Sequence, residues 1–312
     1  MEPLVGDMED YIRLMMEYNN KFWLLINLPL YQSILNLTGR SRNILDSADS
    51  MKYRSMLGWE NRTGEETDWS YRMQVAIYAE DFLLATDLAI KLMAIKPGQA
   101  RTFPYYQTRV FFFVLVALWN AKHFATSRLR RRKFMTIAKK YYAMIKGWVV
   151  KKKAINMAHK FRILNAEMKS LKRNVDRREL MLAYDDAISS STRSGFLNDA
   201  ALAAHLVSRS PIGDDDGGKT RLLYYERALE LYDSWGAAGL LDVFHDNSTG
   251  GLSSSIVSRS FSSRHQGIRQ RSSDSQHLGF RSRPRYDKRL SQQHKEITDV
   301  QRRLQEVDDH TE

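Results

Sequence analysis

The sequence predicts an all-α protein in which helix-turn-helix pairs stack against one another, and three observations predict it. First, the 312 residues include only 16 Gly and 6 Pro, too few turn residues for a fold of many short strands. Second, apolar residues recur three and four positions apart through most of residues 10–245, which is the period of an amphipathic helix. Third, one helical pair matches the next at an offset of 41 residues, and such a period indicates repeated units.

The N-terminal helices are predicted from this apolar spacing. Residues 10–37 have a helical period that Pro29 interrupts, so we expect two short helices that meet near this proline. Residues 38–68 mix Gly, Asn, Ser and charged residues, which indicates a partly helical connection. A single helix is predicted over residues 69–93, because Lys-Pro-Gly at 96–98 is a typical helix stop.

The same period continues into the centre of the chain. It predicts six further helices, over residues 105–122, 133–146, 151–172, 177–190, 196–210 and 220–235. The first of these is apolar nearly all round, which predicts a central position among the others. Its dense apolar run spans residues 110–119, well short of the roughly 20 residues that a membrane-spanning helix needs. We therefore expect a buried helix there.

Internal repetition predicts how the later helices pack. The matching positions are Tyr184 with Tyr225, Ala187 with Ala228, and Gly195 with Gly236. We expect the small alanines where a neighbouring helix approaches closely, and a left-handed helix end at each glycine. A period near 40 with two helices per unit is typical of a tetratricopeptide-like α-solenoid, and chance matching of common helical residues is the alternative.

The chain is predicted to have three parts. Residues 8–245 form the helical-repeat domain. Residues 246–291 are rich in Ser and Arg and have no periodic apolar face, so we expect a disordered tail. Apolar residues seven apart over 292–309 predict a short amphipathic helix, with an oligomerising coiled-coil strand as the alternative.

The net charge of +12 comes from one segment. Residues 128–173 contain 16 Lys and Arg against one acid, Glu167. Such a segment, interleaved with Tyr and Trp, predicts binding to a nucleic acid or to an anionic membrane surface. The alternative is a solvated helix flank, or acidic neighbours in the same fold. The candidate polyanion-binding residues are Arg128, Arg130, Arg131, Arg132, Lys133, Lys151, Lys152 and Lys153.

The residue types argue against an enzyme. There is no cysteine, which excludes disulfides, thiolate zinc sites and cysteine nucleophiles, and the eight histidines have no metal-ligand spacing. Residues 213–220, GDDDGGKT, match the P-loop pattern, but a predicted helix precedes them and three aspartates would repel a polyphosphate. We expect a loop there with Thr220 as helix N-cap. We predict no catalytic residue, cofactor, metal or small-molecule substrate.

Three stretches of the sequence resemble a known kind of region. They are NLPLYQSILNLTGRS at 27–41, the pair AIYAEDFLLATDLAIKL and QTRVFFFVLVALWNA within 76–121, and LAYDDAISSSTRSGFLNDAALAAHL at 182–206 with YYERALELYDSWGA at 224–237. They resemble the tetratricopeptide-like helical segment of large multidomain signalling proteins. In those proteins it follows a protein-kinase-like domain and an AAA-type predicted ATPase, and precedes a sensor histidine kinase or nucleotide cyclase.

The resemblance implies a role without an activity. Where the family usually has an acidic residue, this chain has Ala204 and His205, and the loop at 211–218 replaces a basic connection. None of the kinase, ATPase or output motifs stands in this sequence, so no catalytic residue can be carried over. What is implied is a relay or scaffold in intracellular signalling, a truncated relative or a fragment, with another signalling protein as partner.

These observations order the hypotheses. The leading one is a non-catalytic scaffold for protein binding, and polyanion binding through residues 128–173 is the alternative. An ATP-dependent enzyme using residues 213–220 comes third. The first ten residues carry four acids and no apolar run of the kind a secretory signal needs, so we expect a cytoplasmic protein.

Overall fold

The computed structural model describes residues 1–45, 62–95, 105–172, 174–210 and 218–249. These residues form α-helices joined by turns, and none of them lies in a strand. The prediction of an all-α protein is confirmed. No helix in these ranges combines the length and the apolar character needed to cross a membrane.

The helices are numbered here in chain order. They are α1 (Glu2–Glu17), α2 (Lys21–Leu37), α3 (Arg62–Tyr78), α4 (Phe82–Ala94), α5 (Tyr105–His123), α6 (Arg128–Lys146), α7 (Ala158–Ser170), α8 (Arg177–Arg193), α9 (Leu197–Ser208), α10 (Lys219–Trp235) and α11 (Ala238–Thr249). Helices that follow one another in sequence pack together, as in α3 with α4, α5 with α6, and α9 with α10. As predicted, α5 is central, and it buries residues 109–118.

The chain divides into two units, Met1–Leu241 and Asp242–Glu312. Of the second unit, the structure describes residues 242–249, which continue α11. The rest of the predicted tail and the predicted helix at 292–309 lie outside the described residues.

Pro29 does not divide α2, so the prediction of two helices meeting there is wrong. Pro29 is buried within α2, where the hydroxyl of Ser33 donates to its carbonyl at 2.9 Å. Burial of Leu28 before it and Ile34 after it compensates for the hydrogen bond that proline cannot donate. The break lies instead between α1 and α2, where Asn19 has φ 51° and Asn20 accepts from the Trp23 amide.

The single helix predicted over 69–93 is also wrong, because the chain turns between α3 and α4. Glu80 adopts φ 58°, and the Asp81 carboxylate caps α4 by accepting from the Leu84 amide at 3.0 Å. The apolar residues keep their helical spacing through this turn, so the spacing alone does not indicate a break in the helix. Asp81 as an N-cap is the signal that would have located it.

Several helix ends share one pattern of hydrogen bonds, including the end of α2 at Gly39. After α8, the amides of Gly195 and Phe196 donate to Thr192 and Ser191, both at 3.0 Å. After α10, those of Gly236 and Ala237 donate to Asp233 and Tyr232 at 2.8 and 2.9 Å, and every partner is 41 residues further on. The turns at Asn19 and Glu80 have the same two bonds. Gly195 and Gly236 have φ 79° and 81°, so the predicted left-handed helix ends are confirmed.

The other repeat positions lie mostly in the core. Ala187 and Ala228 are fully buried, as are Tyr184 and Tyr232. Tyr225, the counterpart of Tyr184 in sequence, is only half-buried, and its neighbour Tyr224 is buried instead. The two repeats therefore agree best at the buried alanine and at the turn, and they differ at the tyrosine.

Contacts also join helices that are far apart in the sequence. The Asn198 amide on α9 donates to the Tyr78 hydroxyl on α3 at 3.0 Å, and the Tyr78 ring lies 5.5 Å from the Trp235 ring on α10. The Met1 amino group lies 3.4 Å from the Trp235 carbonyl. In an open solenoid each unit touches only its neighbours. Here α3 contacts both α9 and α10, and Met1 contacts α10.

Candidate functional site

The basic segment divides into a neutralised part and a part without carboxylates. On α7, Lys160 pairs with Asp199 and Arg162 with Asp186, and Lys169 pairs with Glu179 at 2.8 Å. These partners lie on α8 and α9. The predicted alternative of acidic neighbours in the same fold therefore holds for α7.

The one acid of the segment, Glu167, is internal. Its side chain is fully buried, it accepts from the Lys122 ammonium at 2.7 Å, and the Tyr184 hydroxyl also donates to it. Burial and then the Glu167 charge raise the pKa of Tyr184, so this phenol stays protonated. Glu167 neutralises Lys122 and contributes no negative charge to the surface of the segment.

Helix α6 has a continuous basic face. No Asp or Glu occurs between residues 128 and 153. Arg128, Arg132, Lys139 and Lys146 are exposed, and their spacing puts them within about 40° of one another around the helix. The first and last are about 27 Å apart along the axis. We call these four residues the α6 stripe, and within the described parts of the chain no carboxylate pairs with any of them.

The remaining predicted residues near the start of α6 have varied surroundings. Arg130 is exposed and lies 5.3 Å from the Phe124 ring, whereas Arg131 and Lys133 are half-buried. Arg131 donates to the Leu171 carbonyl at 3.4 Å. Part of this cluster thus packs against the protein itself. This agrees with the alternative prediction, in which Lys and Arg side chains lie along a helix flank.

The interleaved aromatic residues face the protein interior. The Tyr141 ring lies 5.1 Å from Phe113, and the Trp148 ring lies 6.2 Å from Tyr106. The Tyr142 hydroxyl donates to Asn165. These rings serve packing, so they do not form a stacking platform for bases on the α6 face.

Lys151, Lys152 and Lys153 lie in a bend between α6 and α7. A single π-helical turn at Gly147–Lys151 leads into it, and a 3-10 turn at Ile155–Met157 follows. All three lysines are exposed, and Lys153 adopts φ 55°. Residues 150–156 are called the elbow below. The predicted residues thus occupy both ends of α6, and Lys139 and Lys146, which sequence reasoning did not select, connect them.

The P-loop match lies at the edge of the described residues. Residues 213–217 fall outside them, and the preceding described element is helix α9. Gly218, with φ 83°, is the N-cap of α10, so the prediction of Thr220 as cap is wrong. Thr220 instead lies in the first turn, where it accepts from Arg177 at 3.4 Å, and Lys219 is exposed.

The charged residues with catalytic potential are internal. His159, Lys160 and Asp199 are all buried, with His159 Nε2 at 2.8 Å from Asp199 and the His159 ring stacked 4.1 Å from Phe196. Burial alone would raise the pKa of Asp199, but the Lys160 charge and the His159 hydrogen bond outweigh it and keep this pKa low. Among the described residues, no group of three His, Cys, Asp or Glu could hold a metal ion.

Comparison of the chain with models of protein families, with curated proteins and with solved structures finds no match.

One surface feature was missed in the sequence. Helix α1 buries Val5, Met8 and Ile12, but a second apolar line stays exposed beside them. We call it the α1 seam, and its residues are Leu4, Tyr11, Leu14 and Tyr18. Leu4, Tyr11 and Tyr18 are seven apart, with Leu14 between them, which is the spacing of a helix-binding face. This spacing was visible in the sequence.

Proposed function

We propose that the protein binds a polyanionic partner along the exposed face of α6. The observation that carries this proposal is that no carboxylate among the described residues pairs with the α6 stripe, while neighbouring α7 has a partner for each of three bases. A row of unneutralised cations attracts an extended anion, because binding releases the counterions of both. The face is long enough to meet several phosphates in a row.

The test compares two variants of the full chain in which exposed bases are replaced by glutamine, four in the stripe variant and three in the control. The stripe variant carries Arg128→Gln, Arg132→Gln, Lys139→Gln and Lys146→Gln. The control carries Lys21→Gln, Arg178→Gln and Lys219→Gln, which are exposed bases outside the segment. Binding to a labelled 20-nucleotide RNA and to phosphatidylserine vesicles is measured at increasing salt.

We expect the wild type and the control to bind at least one of these two probes at low salt, and the stripe variant to bind far more weakly. If RNA is bound, the slope of log affinity against log salt should fall by about three for the stripe variant, since about 0.7 counterion is released per phosphate contact on a single strand. Equal loss in both variants, or no binding of either probe at 50 mM salt by the wild type, would refute the proposal.

A second candidate function is a non-catalytic scaffold that binds another signalling protein. The α1 seam favours it, because an exposed apolar line at heptad spacing suits an amphipathic helix from a partner. Acidic residues Asp7, Asp10 and Glu17 accompany the seam, so a basic helix is the preferred partner. The sequence resemblance to the helical segment of multidomain signalling proteins supports the same role, in the cytoplasm.

The finer architecture that we propose is a tetratricopeptide-like stack of helical pairs. Its support is the equal set of turn hydrogen bonds at Gly195 and Gly236, 41 residues apart, together with the buried Ala187 and Ala228. The contacts of α3 with α9 and α10 distinguish this stack from an open one.

The scaffold role is tested by purifying tagged chain from cells and comparing its partners with those of a Tyr11→Ser/Tyr18→Ser variant. A matched control is Leu182→Ser/Leu223→Ser, which removes exposed leucines on α8 and α10. We expect a signalling protein that is lost only from the first variant. Partners that are identical in all three preparations would contradict a role for the α1 seam.

A further inference from the structure

The elbow between α6 and α7 combines charge with exposed aliphatic side chains. Val150 is 50% exposed and Ile155 is 86% exposed, and they bracket Lys151, Lys152 and Lys153. An exposed aliphatic residue by itself needs no explanation. Two of them on either side of three lysines, at the end of a basic helix face, form a patch with two chemistries.

The backbone holds this patch in place. The Ala154 amide donates to the Trp148 carbonyl at 3.0 Å, and the Lys152 amide donates to Gly147 at 3.2 Å. Met157, directly after the patch, is buried. The elbow is therefore a structured bend in which Met157 packs into the core, while Val150 and Ile155 face solvent.

The opposite end of α6 repeats the combination. Leu129 is 81% exposed and stands between Arg128 and Arg130, both of which are exposed. Each end of this basic helix thus has an exposed aliphatic residue next to its bases, and Leu129 and Val150 are about 30 Å apart along α6 and its π-helical turn.

We propose that the polyanion bound by the α6 face is an anionic lipid bilayer. Lys151, Lys152, Lys153 and the α6 stripe contact the lipid phosphates, and Val150 and Ile155 insert below the headgroups. This inference rests on the proposed polyanion-binding function and names its ligand class. Basic residues and aliphatic side chains on one face are the two components of interfacial membrane binding.

The observations favour a bilayer over a nucleic acid. Single-stranded nucleic acids bind to exposed aromatic side chains on which bases stack. Here Tyr141 and Trp148 pack against α5. The large exposed apolar residues of α6 and the elbow are Leu129, Val150 and Ile155, and all three are aliphatic. A phosphodiester backbone would leave Val150 and Ile155 in water, whereas a bilayer buries them.

The first test measures co-sedimentation of the full chain with vesicles of phosphatidylcholine containing 30% phosphatidylserine, and with vesicles of phosphatidylcholine alone. We expect binding to the anionic vesicles only. Val150→Ser/Ile155→Ser should lower the partition coefficient about tenfold, and Lys151→Gln/Lys152→Gln/Lys153→Gln about 100-fold. The control Leu182→Ser/Leu223→Ser should bind as the wild type does.

The second test uses the absence of cysteine in the sequence. Ile155→Cys, labelled with an environment-sensitive fluorophore, should show a blue shift and higher emission with anionic vesicles and no change with RNA. The same label at Leu182→Cys, which is 62% exposed on α8, should show neither change.

The outcomes separate this inference from the function on which it rests. Binding of RNA that depends on the stripe, without binding of vesicles, would keep the polyanion function and refute the bilayer. Vesicle binding that is equally strong after Val150→Ser/Ile155→Ser, with no change at residue 155, would refute insertion. Failure of both probes would refute both proposals.

Discussion

Lys160 and Arg162 are two bases on one helix whose environments differ completely. The Lys160 ammonium is buried, pairs with buried Asp199 and lies 4.9 Å from the Phe111 ring. Arg162 pairs with Asp186 in a contact whose two side chains are 44% and 49% exposed. Removing a partner from a buried charge leaves it without compensation, whereas water replaces the partner of an exposed one.

The first prediction follows from this difference. Asp199→Ala should lower the free energy of unfolding by about 3–5 kcal/mol, because Lys160 and His159 then stay buried without the carboxylate. Asp186→Ala should lower it by less than about 1 kcal/mol. Urea unfolding followed by circular dichroism measures both, and equal losses would contradict the assignment of Asp199 to an internal network.

Glu80 is a second residue whose environment decides its charge. Burial alone would raise its pKa, but the hydrogen bond and charge of His205, 3.2 Å away, and the charge of Arg209 outweigh burial and lower the pKa to about 2. A carboxyl group whose pKa is lower in the folded state stabilises the fold above its ordinary value of 4.5. This contribution is lost as the pH falls toward 2.

The second prediction concerns the pH dependence of this contribution. The difference in unfolding free energy between the wild type and Glu80→Gln should be largest above pH 5 and shrink steadily as the pH falls from about 4.5 to 2. Denaturant titrations at several pH values measure it. Glu226→Gln, at an exposed residue of α10, serves as the control. A difference that grows toward low pH would have the wrong sign.

Helices and their turns show where sequence reasoning works and where it stops. The turns at Gly195 and Gly236 could be predicted from the sequence, because a left-handed backbone conformation favours glycine. The turn at Glu80 was missed, since tertiary contacts with α9 hold a residue that does not favour this conformation. At Pro29 the sequence predicted a helix break that does not occur, because burial of this part of the helix keeps α2 continuous.

A close contact between helices gives the third prediction. A Cβ at Gly239 in α11 would overlap the Asn36 carbonyl, and would come within 3.1 Å of the Gly39 Cα. Gly239→Ala should therefore destabilise the fold by about 2 kcal/mol. Gly6→Ala, inside α1 with open space around it, should stabilise it by about 0.5–1 kcal/mol. Thermal and urea unfolding of both variants measure these opposite signs, and a stabilising Gly239→Ala would mean that α2 and α11 do not meet there.

The candidate site was half visible in the sequence. Counting charges located residues 128–173, but it could not tell which bases have partners, because those partners lie on α8 and α9. Asp186 is 24 residues from Arg162, and Asp199 is 39 from Lys160. The α6 stripe emerges only after these pairs are removed from the count.

At the scale of the whole molecule, the long-range contacts of Tyr78 affect cooperativity. Stacked units that touch only their neighbours can unfold one by one. Tyr78 joins α3 to Asn198 on α9 and to Tyr232 and Trp235 on α10. Separate unfolding of either end would break these contacts.

The fourth prediction is that α3 and α10 unfold together. Native-state hydrogen exchange at increasing urea, resolved by mass spectrometry, should give the same opening free energy for peptides from both helices. In Tyr78→Ala the two values should separate, because the ring that links them is gone. Two distinct values in the wild type would argue for independent units.

The ring contacts of Tyr78 with Tyr232 and Trp235 also constrain the insertion of a further helical pair into this chain. A pair inserted between α3 and α10 would have to preserve these contacts, because the same rings hold the two helices together. We therefore expect this chain to tolerate an inserted pair less well than an open stack, in which each unit touches only its neighbours.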